Sequence, residues 1–270
     1  MLRPPAVAGL FYSASARDLA DEVAGCLDGS VQAGPAVAAI SPHAGLMYSG
    51  PVAGSVYSRL TLPGTVILVG PNHTGIGPPV SVYPEGAWQM PDGAVSIDRE
   101  LARRVLDECP QAEADTSAHQ REHCLEVQLP FLHRLRPGVR IVPIVLGIRD
   151  PGRCRAVGAC LAAIVTSSAG VDGGRPLLIA STDMNHYESD AVTRDKDRYA
   201  IAAIERLDPD KLDSAVTTYD ISMCGIAPTL AVLHAARDLK ATRATLVSYA
   251  TSADRGGDRN RVVGYAGFTI

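Results

Sequence analysis

The stretch Thr65-Val-Ile-Leu-Val-Gly-Pro-Asn-His-Thr-Gly75 joins an unbroken apolar run to a set of turn residues. Its first five residues lack the apolar–polar alternation of a half-exposed strand, so they are typical of a strand buried on both faces of a sheet. Five further apolar runs predict strands at residues 36–40, 140–146, 177–180, 244–249 and 262–268. Several of these runs also lack alternation.

Helix-like segments separate these runs. They span residues 51–60, 98–107, 122–135, 153–165, 190–207, 209–217 and 225–239. Pro51 is placed at the start of the first helix, Asp98 is the predicted N-cap of the second, and Pro130 interrupts the third. Strands that alternate with helices predict an α/β fold, with a mainly parallel or mixed central sheet and helices on both faces.

Two glycine-containing segments, Asp172-Gly-Gly174 and Arg255-Gly-Gly-Asp258, are loop signals. The alternation of strands and helices continues unchanged across both. We therefore expect a single domain over residues 1–270.

The composition excludes several classes of protein. Of the 270 residues, 46% are apolar and 20% are charged, which rules out intrinsic disorder, collagen-like sequence and coiled coil. The net charge of −4 provides no global basic field that would attract nucleic acid or an anionic membrane. Aromatic residues make up only 5%, which argues against a stacking surface for single-stranded nucleic acid.

The N-terminus and the cysteines predict a cytoplasmic protein. The N-terminal segment Met1–Tyr12 is too short and too proline-rich for a signal peptide. No run of about 18 apolar residues occurs, so we expect no membrane-spanning helix. No Cys-x-x-Cys pair occurs, and an even number of cysteines in a chain this long without a signal peptide favours reduced cytosolic thiols over a disulfide framework. The cysteines are Cys26, Cys109, Cys124, Cys154, Cys160 and Cys224.

Histidines follow three of the predicted buried strands. Ser41-Pro-His-Ala-Gly45, the turn that contains His73, and Ser181-Thr-Asp-Met-Asn-His-Tyr187 each begin where an apolar run ends. In open α/β sheets, ligands bind beyond the carboxyl ends of the strands. If the strands are parallel, His43, His73 and His186 therefore face the same rim of the sheet.

Cys224 stands just before the last predicted helix. A helix N-terminus lowers the pKa of a thiol and so favours the thiolate that binds metal or reacts. The same position is equally typical of a buried cysteine that packs on the sheet. The sequence leaves both interpretations open.

Two histidines and this cysteine predict a mononuclear metal site with three ligands, His43, His73 and Cys224. Imidazoles suit Fe, Cu and Zn, and a set of two His and one carboxylate with open positions is the arrangement of non-haem Fe(II) oxygenases. A thiolate as the third ligand moves the preference toward Cu(I) or Zn without excluding Fe(II). The candidate acid–base groups around the metal are Asp183, His186 and His123.

His119 and His123 have the i, i+4 spacing of a zinc pair on a helix. The match is weak, because the glutamate of the zinc-protease motif is missing and the helix start falls between the two residues. We therefore expect His123 to be a proton-transfer group and His119 to lie on the surface.

Segments that resemble one known family run in order from the first residues to the last. They are Arg3-Pro-Pro-Ala-Val-Ala-Gly-Leu-Phe-Tyr12, Ser41-Pro-His-Ala-Gly-Leu-Met-Tyr-Ser-Gly50, Gly70-Pro-Asn-His-Thr-Gly75, Glu122-His-Cys-Leu-Glu-Val-Gln-Leu-Pro-Phe131, Ser181-Thr-Asp-Met-Asn-His-Tyr187, Met223-Cys-Gly225 and Arg261-Val-Val-Gly-Tyr-Ala-Gly267. On these segments the chain resembles the MEMO family, called protein B of the AmmeMemoRadiSam system in prokaryotes.

The resemblance implies a fold similar to that of the class III extradiol dioxygenases of the LigB type, which open catechols with Fe(II). It places metal ligands at His43, His73 and Cys224, and catalytic histidines at His123 and His186. The dioxygenases have a carboxylate where this chain has Cys224. Prokaryotic members tend to occur alongside AMMECR1-like and radical SAM proteins, which the resemblance implies as partners.

Three interpretations of function follow. The first is a mononuclear, Fe(II)-dependent oxidoreductase that acts on a small aromatic or otherwise oxidisable substrate, with His186 and His123 moving protons. The second is a non-catalytic protein that binds copper, iron or a peptide on a dioxygenase-like scaffold, because Cys224 replaces the carboxylate. The third is a hydrolase with Cys224 as nucleophile and His186 as base.

Overall fold

One sheet contains all the strands in the part of the chain that the structure describes. The computed structural model describes residues 1–168 and 174–270, so Asp172 and Gly173 of the predicted loop lie outside the described residues. The strands are β1 (Leu2–Arg3), β2 (Ala38–Ser41), β3 (Thr65–Pro71), β4 (Val80–Val82), β5 (Ala87–Met90), β6 (Gly93–Ile97), β7 (Glu113–Ala114), β8 (Arg140–Leu146), β9 (Leu177–Ser181), β10 (His186–Glu188), β11 (Thr245–Thr251) and β12 (Val262–Thr269). The six predicted strands are confirmed as β2, β3, β8, β9, β11 and β12.

The sheet is mixed, and its centre is parallel. The strand order is β1-β5-β6-β8-β3-β9-β2-β12-β10, with β11 paired to β12 and β4 to β8. The neighbours β8, β3, β9 and β2 all run parallel, whereas β12 is antiparallel to β2 and β11. Every residue of β3 is buried, as the absence of alternation predicted. The predicted α/β fold is thus confirmed.

The parallel register brings three strand ends to one edge. Ser41, the last residue of β2, pairs with Ser181, the last residue of β9. Val69 of β3 pairs with Ala180 of β9, so the end of β3 lies at the same edge. The residues that follow these strands therefore emerge side by side, which is what brings the candidate site together.

Helices surround this sheet. They are α1 (Ala16–Cys26), α2 (Leu46–Tyr57), α3 (Arg99–Glu108), α4 (Leu129–Leu135), α5 (Pro151–Ser167), α6 (Asp190–Glu205), α7 (Pro209–Thr218) and α8 (Ile226–Asp238). Asp98 caps α3 as predicted, because its side chain accepts a hydrogen bond from the Leu101 amide. α8 packs on β3 and β9, and α2 packs on β11 and β12. Of the helices in the described residues, none combines the length and apolar character needed to cross a membrane.

Two helix boundaries differ from the predicted ones. Helix α2 begins at Leu46, so Pro51 lies inside it rather than at its start. The amide that Pro51 lacks would have bonded the carbonyl of Met47, and Arg255 Nε donates to that oxygen instead, over 3.1 Å. Pro130 lies in the first turn of α4 and does not interrupt a longer helix, because a 3₁₀ turn precedes it.

The expectation that all cysteines are reduced thiols is wrong for two of them. Cys109, the C-cap of α3, forms a disulfide with Cys160 of α5, with the two Cα atoms 5.7 Å apart. The partners are 51 residues apart in the chain and lack a motif spacing, so only the packing of α3 on α5 joins them. Four free cysteines remain among the described residues: Cys26, Cys124, Cys154 and Cys224.

Candidate metal centre

A cavity of about 830 Å³ opens at the edge where β2, β3 and β9 end. Its walls include apolar and aromatic side chains such as Phe11, Tyr48 and Tyr265. The six site residues predicted from the sequence all line it: His43, His73, His123, Asp183, His186 and Cys224. Side chains that are up to 181 residues apart in the chain thus share one pocket.

His43 follows β2 and is oriented by a buried hydrogen-bond network. Its Nδ1 lies 2.9 Å from Ser181 Oγ. The Ser181 hydroxyl donates to the carbonyl of Cys124 and accepts from Gln128, so its oxygen accepts the Nδ1 proton of His43. Nε2 of His43 therefore carries a lone pair. Burial, and to a smaller extent the neighbouring histidines, lowers the pKa of His43 well below its usual value. The ring therefore stays neutral.

His73 follows β3 and is held by a buried carboxylate. Its Nδ1 lies 2.8 Å from Glu122 Oε1, and its amide donates to Glu122 Oε2 over 2.7 Å. Burial opposes the charged ring, but the hydrogen bond to Glu122 leaves the pKa of His73 raised. Because Nδ1 is engaged, Nε2 is the nitrogen left for a ligand.

Glu122 is the hub of the hydrogen bonds in this half of the site, and it was not among the site residues predicted from the sequence. It is buried, and besides His73 it accepts hydrogen bonds from the amides of His123 and Cys124. Burial alone would raise the pKa of Glu122, but these donors lower it to about 2. The only sequence signal for Glu122 was its place beside His123 in the segment Glu122–Phe131. Its partner His73 is 49 residues away in the chain, so no local pattern joins the two.

Three imidazoles form one of two groups of potential ligands found among the described residues, the other being His73, Glu122 and Cys124. One nitrogen from each of His43, His73 and His123 lies within 4.8 Å of the others. The rings of His73 and His123 stack with centroids 4.6 Å apart, and Phe11 packs on His123 at 4.8 Å. Burial lowers the pKa of His123, so its ring also favours the neutral form that binds metal or accepts a proton.

Cys224 lies beside the Nε2 atom of His43. Its Sγ lies 3.3 Å from His43 Nε2 and accepts a hydrogen bond from the Asp183 amide over 3.2 Å. Burial, reinforced by the Asp183 carboxyl, raises the pKa of the Cys224 thiol. The expectation that the helix N-terminus lowers this pKa is therefore wrong, because the desolvation of the thiolate outweighs the helix dipole.

Asp183 and His186 supply two further titratable groups. Asp183 Oδ1 accepts the amide of His43 over 2.8 Å, yet burial raises the pKa of this carboxyl to about 7. His186 has its Nδ1 2.9 Å from the carbonyl of Ser222, which assigns the proton to Nδ1 and the lone pair to Nε2. Burial lowers the pKa of His186, so its neutral ring can accept a proton at Nε2.

His119 does not lie where it was expected. The prediction of a surface position is wrong, because the side chain is fully buried and its Nε2 lies 2.9 Å from Ser81 Oγ. It ends a short 3₁₀ turn, Ser117–His119, and no continuous helix joins it to His123. Only the folded chain reveals this burial, since the hydrogen-bond partner Ser81 is 38 residues away in the chain.

The donor set fits a metal ion. Both His43 and His73 have Nδ1 engaged by a neighbouring group and Nε2 left for a ligand, the arrangement usual for histidines that bind metal. A thiol adjoins one of them, and a bound cation can displace its proton. The hydrolase interpretation has less support, because the imidazole beside the Cys224 sulfur belongs to His43 rather than to His186.

Over nearly its whole length, the chain is similar to proteins of one family. A family model described as Memo-like protein matches residues 3–269. Proteins named MEMO1 family protein are 40% identical to the chain in Ignicoccus hospitalis, over 98% of this chain and 97% of the relative, and in Thermotoga maritima, over 98% of each. The crystal structure of an uncharacterised protein from Escherichia coli K12 has a TM-score of 0.59 at 14% identity, covers 87% of this chain and 100% of its own, and shares the fold.

Proposed function

This chain belongs to the Memo family, and we propose that it is a mononuclear metalloprotein. In this proposal it is an iron(II)-dependent, dioxygenase-like oxidoreductase that acts on a small aromatic substrate. The observation that carries the proposal is the cluster of imidazole nitrogens, within 4.8 Å of one another, in a cavity with a thiol and proton-transfer groups. The resemblance to class III extradiol dioxygenases supports the reaction type.

We assign the metal to His43, His73 and Cys224. Nε2 of His43 carries a lone pair, Nε2 of His73 is the nitrogen that Glu122 leaves for a ligand, and the Cys224 sulfur lies beside His43 Nε2. Iron(II) in this position would supply the one-electron chemistry that lets an aromatic substrate react with O₂. His123 is held less closely, since its Nδ1 lies 3.5 Å from Glu122 Oε1, which leaves it for proton transfer.

The remaining groups bind the substrate and move protons. His186 is neutral, with Nε2 as its basic atom, so it can take the proton of a phenolic hydroxyl. Asp183, with a pKa of about 7, can hold or release a proton near neutral pH. The side chains of Phe11 and Tyr48 line the cavity, and their rings suit an aromatic substrate.

A second candidate function is the non-catalytic handling of copper or iron. The observation in its favour is the sulfur at Cys224, because a soft ligand raises the preference for Cu(I). In this case the protein would bind Cu(I) far more tightly than Fe(II) and would show no turnover.

We also propose a cytoplasmic location, with AMMECR1-like and radical SAM proteins as partners, as the resemblance implies. The Cys109–Cys160 disulfide bears on the location, because most cytosols keep thiols reduced, whereas intracellular proteins of hyperthermophiles are an exception. Alkylation of these two thiols in intact cells, followed by mass spectrometry, tests the point.

The test of function begins with metal content after anaerobic purification. We expect stoichiometric iron in the wild type, its loss in His43→Ala and Cys224→Ser, and its retention in the matched control His133→Ala, a histidine outside the cavity lining. Oxygen uptake with catechols then tests the reaction. Iron-loaded protein that consumes no O₂ with a panel of catechols and other oxidisable aromatics would contradict the enzymatic proposal, and a Cys224→Ser variant that keeps its metal would contradict the ligand assignment.

A further inference from the structure

The N-terminal segment is attached to the site by a fully buried ion pair. Arg3 Nη1 donates to Glu126 Oε2 over 2.6 Å, and neither side chain is exposed to solvent. The guanidinium of Arg3 also lies over the ring of Trp88, 4.1 Å from its centroid. Both charged residues lie outside the cavity lining, so the proposed reaction gives them no direct role.

The other donors of Arg3 reach the chain segment that carries two site residues. Nε donates to the carbonyl of His119 over 2.7 Å, and Nη2 donates to the carbonyl of Glu122 over 2.8 Å. The planar fork of an arginine can serve several acceptors in fixed directions at once. Arg3 therefore sets the path of the backbone from which Glu122 and His123 project.

Glu126, the other member of the ion pair, binds the N-terminal segment. Its carboxylate accepts the amides of Ala6 and Val7 and the hydroxyl of Tyr12, at 2.7 to 3.0 Å. These bonds enclose the stretch that contains Phe11, whose ring packs on His123 and lines the cavity. Glu126 thus fixes the position of the segment that forms one wall of the pocket.

Stability alone does not account for this ion pair. Apolar residues of similar volume often replace a buried ion pair with no loss of stability, or with a gain. What apolar residues cannot replace is the set of directional hydrogen bonds to the backbone on both sides. The arrangement therefore specifies position.

We propose that Arg3 and Glu126 are positioning residues of the metal centre. They hold the Glu122 carboxylate against His73 and the Phe11 ring against His123, so the ligands are preorganised before a metal arrives. This inference rests on the proposed metal function, because its expected effect is on metal binding. The hydrogen bonds themselves exist in the metal-free protein.

The first measurement therefore needs no metal. In the metal-free protein, the His73 Nδ1 proton is shared with Glu122 over 2.8 Å, and its resonance can be followed by NMR at low temperature. We expect the double variant Arg3→Met/Glu126→Gln to fold but to lose this resonance, because Glu122 is no longer held. The matched control is Asp98→Asn, which also neutralises a buried carboxylate but lies at the N-cap of α3. It should keep the resonance.

The second measurement is titration of the same proteins with Co(II) as the metal probe. We expect the double variant to bind Co(II) about ten-fold more weakly or worse, with an altered visible spectrum, whereas Asp98→Asn matches the wild type. If the double variant fails to fold, Arg3→Lys takes its place, since it keeps the charge but loses the fork, and it should give a smaller loss of the same kind.

An unchanged His73 resonance together with unchanged Co(II) binding in the folded variants would overturn the inference. A wild type that binds neither Co(II) nor Fe(II) would contradict the proposed function instead. In that event the His73 resonance still decides whether Arg3 and Glu126 position the site.

Discussion

The Sγ atom of Cys224 lies 3.3 Å from Nε2 of His43, although 181 residues separate them in the chain. The Ser181 network leaves a lone pair on that nitrogen, and burial favours the neutral form of both groups. In the absence of a cation, the thiol therefore donates a hydrogen bond to Nε2 of the imidazole. A metal ion between the two atoms would replace that proton.

Metal binding should therefore release about one proton per ion from Cys224. Because the pKa of the thiol is raised by burial, affinity should increase as the pH rises. The release can be measured with a pH indicator in weakly buffered solution during titration with Zn(II). The Cys224→Ser variant should release about one proton fewer per ion, and an equal release from wild type and variant would contradict ligation by this sulfur.

The variant Glu122→Gln should weaken metal binding by about 10- to 100-fold, the usual effect of losing a carboxylate that orients a histidine ligand. The charge that raises the pKa of His73 disappears, so the pKa of His73 should fall in the metal-free protein. Isothermal titration with Co(II) measures the affinity. Glu100→Gln, an exposed glutamate in the first turn of α3, is the control and should bind as the wild type does.

Asp197 should make stability depend on pH. The side chain is fully buried, accepts the Asn185 amide and the Tyr249 hydroxyl, and has a pKa raised by burial to about 6. Since the folded state favours the protonated form, its contribution is present in full below the unfolded pKa of 3.8 and is lost as the pH rises through about 6. Two pKa units correspond to about 3 kcal/mol.

The variant Asp197→Asn should therefore gain about 3 kcal/mol of unfolding free energy relative to the wild type between about pH 4 and pH 7. Denaturant unfolding at several pH values measures this difference. Asp195 is an exposed residue of the same helix. The control variant Asp195→Asn should show the same pH dependence of the unfolding free energy as the wild type. A constant difference between Asp197→Asn and the wild type across the range would contradict the raised pKa.

Removal of the Cys109–Cys160 disulfide should destabilise the fold by about 4 kcal/mol, because a cross-link over a loop of this length restricts the unfolded chain. The double variant Cys109→Ser/Cys160→Ser can be compared with the wild type by urea unfolding. The wild type treated with reductant serves as the second sample and should match the variant. A reductant that leaves the wild-type midpoint unchanged would contradict the bond.

Much of the fold was predictable because its signals are local. The strand Thr65–Pro71 is a continuous apolar run, and such a run indicates a doubly buried strand whatever the rest of the chain does. The short strands β5 and β6 were missed, since their stability comes from pairing with each other and with β1 and β8. The start of α2 was missed because Pro51 is accommodated by Arg255, which is distant in sequence.

The sequence by itself placed His43, His73 and His186 at one edge of the sheet, because side chains that follow parallel strands emerge at the same edge. Only the tertiary structure decided their states and supports. The raised pKa of Cys224, the burial of His119, the Glu122 hub and the Arg3–Glu126 pair depend on desolvation and on partners that are remote in the chain. A local pattern specifies where the backbone turns, whereas protonation and long-range pairing depend on what the completed fold places around each group.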